Sequence, residues 1–341
     1  MLEALILQEI QDKGPMRQDR FMELALGHPT HGYYRTQEAV SQDFTTAPEV
    51  SQMFCELIGA WVLDLYDKLG RPDAVTLVEL GPGRGTLMSD VLRVTSSLSD
   101  IFKVFFVEIN PLLKDIQKSK VPNAEWAETF EEVPQTSNPL IIIGNEFLDA
   151  LPTRCYLVKE NRLYERCIEI EKGNLTFVEV PQGTSIEPNG IWEECPAANH
   201  LLDEISTRLH NQSGAFLCID YGYETGEGDS LQALYDGKPI HPLRNPGHAD
   251  LTCHVNFKKL KEKALSKGLG VAGPLTQGAF LLNMGLDVRL EMLKHKNPTQ
   301  RGNLELAAMR LTHPHHMGTL FKTMALFSPS SLKPIGFETC S

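Results

Sequence analysis

The 341-residue chain lacks several features that would place it in other classes of protein. No run approaches the roughly 20 apolar residues that a membrane-spanning helix needs. The 32 basic residues are outnumbered by 44 acidic ones, and the net charge of -12 argues against a broad nucleic-acid surface. The N-terminal residues have neither the apolar core of a signal peptide nor the Arg-rich character of a transit peptide. These absences predict a cytoplasmic protein, or a mature form, with no membrane span and no nucleic-acid partner.

The cysteines and histidines indicate no metal or disulfide site. Seven cysteines are scattered along the chain, and no two of them form a Cys-x-x-Cys pair, so we predict reduced, structural thiols. The spacing of Cys and His matches no structural zinc site. The cluster His313-Pro-His-His316 has no acid or cysteine beside it in the sequence, and we predict no metal there. The chain also has no Gly-x-Ser-x-Gly motif of a hydrolase.

The most informative stretch is a short apolar strand followed by a glycine-rich turn. Residues 75–85 read Val-Thr-Leu-Val-Glu-Leu-Gly-Pro-Gly-Arg-Gly, and a helical pattern begins at Thr86. Gly81, Gly83 and Gly85 allow a tight turn and the close approach of a ligand, because they carry no Cβ. A strand, a glycine turn and a helix in this order are typical of a nucleotide-cofactor site.

Two details of this turn favour S-adenosylmethionine (SAM) over a dinucleotide. The pattern Gly-x-Gly-x-x-Gly/Ala is not met, because the third glycine comes one residue early and Thr86 stands in its place. Glu79 precedes the first glycine by two residues, where a carboxylate would repel a pyrophosphate. The same carboxylate suits SAM, which carries a sulfonium and an ammonium group and no phosphate. A strand–helix turn without a ligand is the structural alternative.

A second buried strand is predicted at 103–109, with Glu108 near its end. Its distance from the glycine turn is the roughly 20 residues expected for an acid that hydrogen-bonds a ribose. We therefore predict that Glu108 binds the ribose hydroxyls and that Asn110 lies beside it in the cofactor site. NAD would use such an acid as well, so Glu108 does not discriminate between cofactors. A solvent-facing acid at the end of a strand is the structural alternative.

The order of the predicted elements indicates an α/β fold. Helical patterns at 1–26 and 51–69 precede alternating strands and helices, which predicts a doubly wound, mostly parallel sheet. Sites in such sheets lie at the carboxyl ends of the strands. Alternating residues at 154–180 predict β-hairpins, and 222–247 has the composition of a long irregular loop. The other predicted elements are strands at 75–80, 103–109, 139–144, 215–220 and 319–327, a strand-to-helix entry at 250–257, and helices at 86–97, 111–120, 197–210, 258–268 and 287–296.

Candidate catalytic residues follow the strand at 139–144, where Gly144-Asn-Glu-Phe-Leu-Asp-Ala-Leu-Pro152 brings together Asn145, Glu146 and Asp149. In methyl transfer the protein mainly positions the nucleophile. For an arginine acceptor, two carboxylates match the donor fork of the guanidinium. We therefore predict Glu146 and Asp149 as substrate-orienting carboxylates, with Asn145 beside them. The structural alternative is a helix N-terminus that Asn145 caps and that favours acids.

Two further segments have both a functional and a structural interpretation. Asp220 ends the predicted strand at 215–220 and is either a wall of the pocket or part of a strand-ending turn. Residues 43–49 read Asp-Phe-Thr-Thr-Ala-Pro-Glu before a long helix, and they are either a plain loop or a lid over the cofactor.

Taken in order, these motifs resemble those of the MidA-like SAM-dependent methyltransferases. The blocks at 145–152 and at Asn245-Pro-Gly247 with Asp250-Leu-Thr-Cys-His-Val255 are specific, whereas the glycine turn marks only the broader class. The resemblance covers essentially the whole chain. It implies a class I, Rossmann-like methyltransferase core with an N-terminal helical part and added β and helical insertions. It also implies SAM as the cofactor, bound by the glycine turn and Glu108.

The same resemblance implies an acceptor. The MidA-like family includes the mitochondrial arginine methyltransferase that assists assembly of respiratory complex I. This relationship implies a protein substrate that carries arginine, in particular a respiratory-chain subunit. The common protein arginine methyltransferases use two glutamates on one hairpin loop. Cys155 stands where the second would fall, so Asp149 or another acid would have to complete the pair.

The chain is predicted to divide into an N-terminal helical and lid region at 1–72 and a methyltransferase core at 73–341. Insertions in the core are predicted at about 153–195 and 222–300. The lack of a targeting segment favours a bacterial member of the family. Three alternatives stay open: an assembly chaperone that binds SAM without efficient catalysis, a methyltransferase of small molecules, and an NAD oxidoreductase.

Overall fold

The computed structural model describes residues 1–36, 46–184, 187, 189–226 and 228–338. Among these residues, no helix has the length and apolar character needed to cross a membrane. The strands are β1 (Met16–Arg17), β2 (Val75–Leu80), β3 (Phe102–Val107), β4 (Glu125–Ala127), β5 (Leu140–Asn145), β6 (Arg154–Lys159), β7 (Arg162–Glu171), β8 (Asn174–Thr184), β9 (Gly190–Glu194), β10 (Gly214–Tyr223), β11 (Gln232–Tyr235), β12 (Lys238–Ile240), β13 (Asp250–Thr252), β14 (Val255–Asn256), β15 (Gly270–Thr276) and β16 (Phe321–Ser328).

The helices flank these strands and connect them. They are α1 (Leu2–Lys13), α2 (Gln18–Gly27), α3 (Tyr33–Thr36), α4 (Ala47–Val50), α5 (Gln52–Lys68), α6 (Thr86–Val94), α7 (Pro111–Lys120), α8 (Pro196–Gln212), α9 (Phe257–Ser266), α10 (Gln277–Asn283), α11 (Leu286–Lys296), α12 (Arg301–Thr312) and α13 (Met317–Leu320), with short 3-10 helices at Ser96–Leu98, Phe130–Glu132 and Pro298–Gln300.

The main sheet has the strand order β15-β16-β10-β5-β2-β3-β4, and β14 also pairs with β10. The central pairs β2–β3, β2–β5 and β5–β10 are parallel, whereas β16 runs antiparallel to both of its neighbours. The sheet is therefore mostly parallel, and the predicted α/β class is confirmed.

Alternate residues of the central strands face opposite layers of helices, as the period of a strand requires. Leu77 and Ile141 belong to a core cluster that includes residues of α5, α6 and α10 to α12. Val78 and Ile142 belong to a second cluster, which contains residues of α8 and α9. Burial on both faces explains why these strands are near-continuous apolar runs in the sequence. The arrangement is doubly wound, as predicted.

Two smaller antiparallel sheets stand beside this core. One has the order β1-β7-β6-β9 with β8 on β7, and the other has the order β12-β11-β13. Helices α1 and α2 share a third hydrophobic cluster with residues of these sheets. Helix α5, in contrast, packs with the main sheet. The boundary predicted at residue 72 and the two insertion ranges stay predictions.

Several elements differ from the sequence-based expectation. The irregular loop predicted at 222–247 is wrong in part, because β10 continues to Tyr223 and a hairpin of β11 and β12 follows it. Strand β15 and helix α12 were not expected. The last strand begins at Phe321, because residues 317–320 form a helical turn.

Candidate active site

A cavity of about 1090 Å³ opens over the carboxyl ends of β2, β3 and β5. Doubly wound sheets bind their ligands at this edge. Among the described residues that line the cavity are seven glutamates, whereas Arg84 and His200 are the basic residues there. An acidic lining concentrates cations and disfavours phosphates. The cavity therefore suits a positively charged ligand better than a dinucleotide.

Glu79 lies one residue before the end of β2 and is 3% exposed. Its carboxylate accepts a hydrogen bond from the backbone N–H of Met88, but its Oε2 atom has no hydrogen-bond partner among the described residues. Burial and, to a smaller extent, the charge of the nearby Glu108 raise the pKa of Glu79 to about 8. A buried oxygen without a donor is costly. An ammonium or sulfonium cation in the cavity would favour the charged form of this carboxylate, so Glu79 fits the predicted cofactor.

Glu79→Gln is expected to stabilise the protein at high pH. The pKa of Glu79 is about 8 in the folded state and near 4.5 in a solvated chain. Between these values the unfolded chain loses the proton first, so wild-type stability falls by about 1.4 kcal/mol per pH unit through this group. The variant lacks this loss, and its melting temperature should exceed that of the wild type increasingly from pH 5 to pH 8.

Scanning calorimetry of both proteins across this pH range measures the difference in melting temperature. Glu160→Gln, at an exposed acid in the turn after β6, is the control, and a difference independent of pH would contradict the prediction.

The glycine turn has the backbone conformation that only glycine adopts easily. Gly81, Gly83 and Gly85 have φ angles of 63°, 51° and 73°, in the left-handed region. Gly81 and Gly83 line the cavity. A Cβ on Gly81 would also lie 2.8 Å from the ring of Phe147. Gly85 does not line the cavity. It precedes α6, and a Cβ there would lie 3.4 Å from the Cα of Gln117.

Glu108 and Asn110 lie just beyond the neighbouring strand, which ends at Val107 rather than at the predicted residue 109. Glu108 follows β3, is 7% exposed and lines the cavity together with Asn110. The Oε1 atom of Glu108 accepts the backbone N–H of Asn110 at 2.7 Å, and Oε2 accepts Nε2 of Gln117 at 3.0 Å. Burial raises the pKa of Glu108 to about 7. Asn110 caps α7 through its Oδ1 atom, which accepts the N–H of Leu112.

Asn145 and Glu146 lie side by side at the end of β5, and both line the cavity. Glu146 has a φ of 53°, an uncommon conformation for a residue with a side chain and one that is frequent at functional sites. Its Oε1 atom accepts the backbone N–H of Ala47 and Nδ2 of Asn145, each at 3.1 Å. Burial raises the pKa of Glu146 to about 7. The Oδ1 atom of Asn145 is buried without a partner among the described residues.

Asp149 lies behind this pair. It is 5% exposed, it is not among the residues that line the cavity, and burial raises its pKa, as does the charge of Glu146. The structure thus brings Asn145 and Glu146 to the cavity and leaves the buried Asp149 outside its lining. Tyr221 hydrogen-bonds the carboxylate of Asp149.

The helix that the structural alternative required does not form, since residues 146–153 form a turn and irregular backbone. Asp220 holds this segment. Its Oδ2 atom accepts the backbone N–H groups of Phe147, Leu148 and Asp149 at 3.2, 2.8 and 3.3 Å. Asp220 is fully buried and does not line the cavity, so it is not a wall of the pocket, and it does not end its strand either, because β10 continues to Tyr223. It also fixes the backbone next to Glu146.

The structure describes only residues 46–49 of the segment predicted as a loop or lid. Residues 43–45 lie outside the described residues, whereas Thr46, Pro48 and Glu49 line the cavity. The contact between the N–H of Ala47 and Glu146 ties this segment to the end of β5.

Two buried residues support the cavity but are not apparent from the sequence. Gln117 contacts both the glycine turn and Glu108. Arg208 of α8 is 1% exposed, donates to the carbonyls of Phe130, Val133 and Pro134, and stacks over the Phe130 ring at 4.7 Å. These contacts cross between elements distant in sequence. For Gln117 there was one usable signal, its place two turns after Asn110 on the same face of a helix.

This geometry agrees with comparisons against known proteins. A family model described as "Putative S-adenosyl-L-methionine-dependent methyltransferase" matches residues 57–275, more than half of the chain. The chain belongs to this methyltransferase family. Its cofactor is SAM, and the family predicted from the motifs is confirmed.

The curated relatives have a more specific name. "Protein arginine methyltransferase NDUFAF7, mitochondrial" from Homo sapiens is 33% identical, and the match covers 96% of this chain and 83% of that protein. The protein of the same name from Xenopus laevis is 30% identical over 96% of this chain and 84% of its own length. The alignments thus span nearly all of the chain, including its insertions.

A solved structure supports the fold. The crystal structure of a Burkholderia thailandensis protein bound to S-adenosyl-homocysteine matches with a TM-score of 0.82 and 23% identity. The match covers 99% of this chain and 92% of that one. The insertions and the N-terminal helices therefore belong to an architecture that this protein shares with its structural relative.

Proposed function

We propose that this protein methylates arginine in another protein, with a respiratory-chain subunit as the first candidate acceptor. The support is the combination of an acidic cavity with curated relatives that are named protein arginine methyltransferases. The SAM that binds there supplies a methyl group on a positively charged sulfur. Cytoplasmic location, bacterial origin and the absence of a nucleic-acid partner stay predictions of the sequence.

The observation that carries the proposal is the placement of Glu146. Its carboxylate is held by Ala47 and Asn145 at the wall of an acidic cavity, where it can accept from a guanidinium. A carboxylate there holds the positive charge on the nitrogens that are not methylated. Asn145 orients the carboxylate of Glu146. The carboxylate of Asp149 adds negative charge near Glu146 without lining the cavity. Glu79, Glu108, Asn110 and the glycines Gly81, Gly83 and Gly85 form the cofactor end.

The test is methyl transfer from labelled SAM to proteins and to small molecules in one experiment. The purified protein is incubated with a proteome that lacks it, and labelled residues are identified by mass spectrometry. We expect label on arginine in a small number of proteins. Label on a metabolite would indicate a small-molecule methyltransferase. Binding of SAM without any transfer would favour an assembly chaperone.

A further inference from the structure

Gln117 is a buried amide that joins three parts of the cofactor site. It lies on α7 and has no exposed surface. Its Nε2 atom donates to the carbonyl oxygen of Gly83 at 2.7 Å and to Oε2 of Glu108 at 3.0 Å. Its Oε1 atom accepts the indole N–H of Trp126 at 2.7 Å. The side chain therefore connects the glycine turn, the predicted ribose-binding acid and β4.

The chemistry of these partners requires an amide. The carbonyl of Gly83 and the carboxylate of Glu108 both need a donor, whereas the indole of Trp126 is a donor only. A side chain with two N–H donors and one acceptor satisfies all three, and the partners fix which way the amide faces. A glutamate would present acceptors to Gly83 and Glu108, and a methionine would remove the hydrogen bond that each of the three partners makes with this side chain.

Gln117 also packs against Gly85, the residue that precedes α6. Gly85 does not line the cavity, but a Cβ on it would lie 3.4 Å from the Cα of Gln117 and 3.5 Å from its Cγ. These are ordinary van der Waals distances, so the left-handed φ of 73° rather than crowding favours glycine at this position, and Gln117 packs directly against the start of α6.

We propose that Gln117 is a positioning residue for SAM, which locks the glycine turn and the Glu108 carboxylate in the geometry that receives the cofactor. It does not touch the ligand itself, because it lies outside the residues that line the cavity. Its action is on Glu108, whose Oε1 atom is held by the Asn110 N–H while Gln117 holds Oε2. With both oxygens fixed, the carboxylate is oriented before the ribose arrives. The proposal rests on the assignment of Glu108 to the ribose.

The main test is titration calorimetry of the full chain with S-adenosylhomocysteine. We expect Gln117→Met to weaken binding by about 10-fold to 100-fold, by analogy with residues that orient metal ligands through a hydrogen bond. Gln117→Glu should weaken it at least as much. The matched control is Gln277→Met, since Gln277 is equally buried, donates to the carbonyl of Leu311 at 2.9 Å and lies away from the cavity. Its variant should bind within about threefold of the wild type.

A second measurement separates positioning from a general loss of structure. Binding of 5′-methylthioadenosine is compared with binding of its 2′,3′-dideoxy analogue in the wild type and in Gln117→Met. If Gln117 acts through Glu108, the loss of affinity caused by Gln117→Met should be severalfold smaller for the ligand without ribose hydroxyls. Trp126→Phe is the milder variant in case Gln117→Met does not fold, because it removes the indole N–H that Gln117 accepts and keeps an aromatic ring next to Phe106.

Three outcomes would overturn the proposal. The first is binding of S-adenosylhomocysteine by Gln117→Met within twofold of the wild type. The second is an equal loss of affinity in Gln277→Met. The third is an equal loss of affinity for 5′-methylthioadenosine and for its dideoxy analogue, which would show that Gln117 has only a structural role. Failure of arginine methylation with normal binding of the cofactor would contradict the proposed function and leave this proposal intact.

Discussion

Glu146→Gln is expected to lower the rate of methyl transfer to arginine by about 10²- to 10³-fold while SAM affinity stays within about threefold. The glutamine keeps the shape of the side chain and can still accept from Ala47. It cannot neutralise a guanidinium, so the acceptor is neither held nor oriented. Single-turnover kinetics with saturating SAM, together with calorimetry on the same variant, separate the two effects.

The control for this variant is Glu193→Gln. Glu193 is another buried glutamate, which accepts from Ser230 and lies outside the large cavity. Its replacement should leave transfer within about twofold. Transfer by Glu146→Gln at the wild-type rate would show that Glu146 does not act on the acceptor. The carboxylate that orients the guanidinium would then have to be sought elsewhere.

The pH dependence of the wild type provides a further prediction for the same residue. Burial raises the pKa of Glu146 to about 7. Below that pH the carboxyl group is protonated and cannot pair with a guanidinium, so kcat/KM for the acceptor should rise as pH increases through about 7. The rise should be absent from the residual activity of Glu146→Gln. A wild-type profile that is flat between pH 6 and pH 8 would contradict the ionisation assigned to this residue.

The central strands could be predicted from the sequence because their signal is local. Strand β2 and helix α7 have the predicted bounds, since an apolar β-branched run and an Asn-Pro helix start depend only on neighbouring residues. Strand β15 gives no such signal, because Gly273-Pro274 interrupts it at an irregularity in its pairing with β16. The β11–β12 hairpin has an Asp-Gly turn that indicates a hairpin, but the polar and glycine-rich residues before it obscured that signal.

In the candidate site, too, some positions could be predicted from the sequence and others could not. Glu79, Glu108, Asn145 and Glu146 could be placed together because the carboxyl ends of parallel strands meet at one edge of the sheet. The depth of Asp149 could not be predicted. It depends on the carboxylate of Asp220, which binds three amides of the turn from a strand some 70 residues further along. Contacts between distant side chains leave no periodic pattern in the sequence.

Gly81→Val is expected to weaken SAM binding by at least 100-fold, because two independent features of this position exclude a branched side chain. The φ angle of 63° lies in the left-handed region, where a β-branched residue is strained by about 1–3 kcal/mol. The new Cβ would also lie 2.8 Å from the ring of Phe147, so this ring, which lines the cavity, would have to move. Calorimetric titration with S-adenosylhomocysteine measures the loss.

Two further variants distinguish the causes of that loss. Gly173→Val places the same side chain at a φ of 84° in the turn between β7 and β8, where no atom lies within 4 Å of the new Cβ. It should lose stability through backbone strain and keep its SAM affinity. In Gly81→Ala, the added replacement Phe147→Ala should restore part of the binding, since it removes the ring that the Cβ contacts. If Gly173→Val lost affinity equally, the effect of Gly81→Val would be one of global stability. If the second replacement restored nothing, strain in the turn alone would account for the glycine, and the ring of Phe147 would not limit what position 81 accepts.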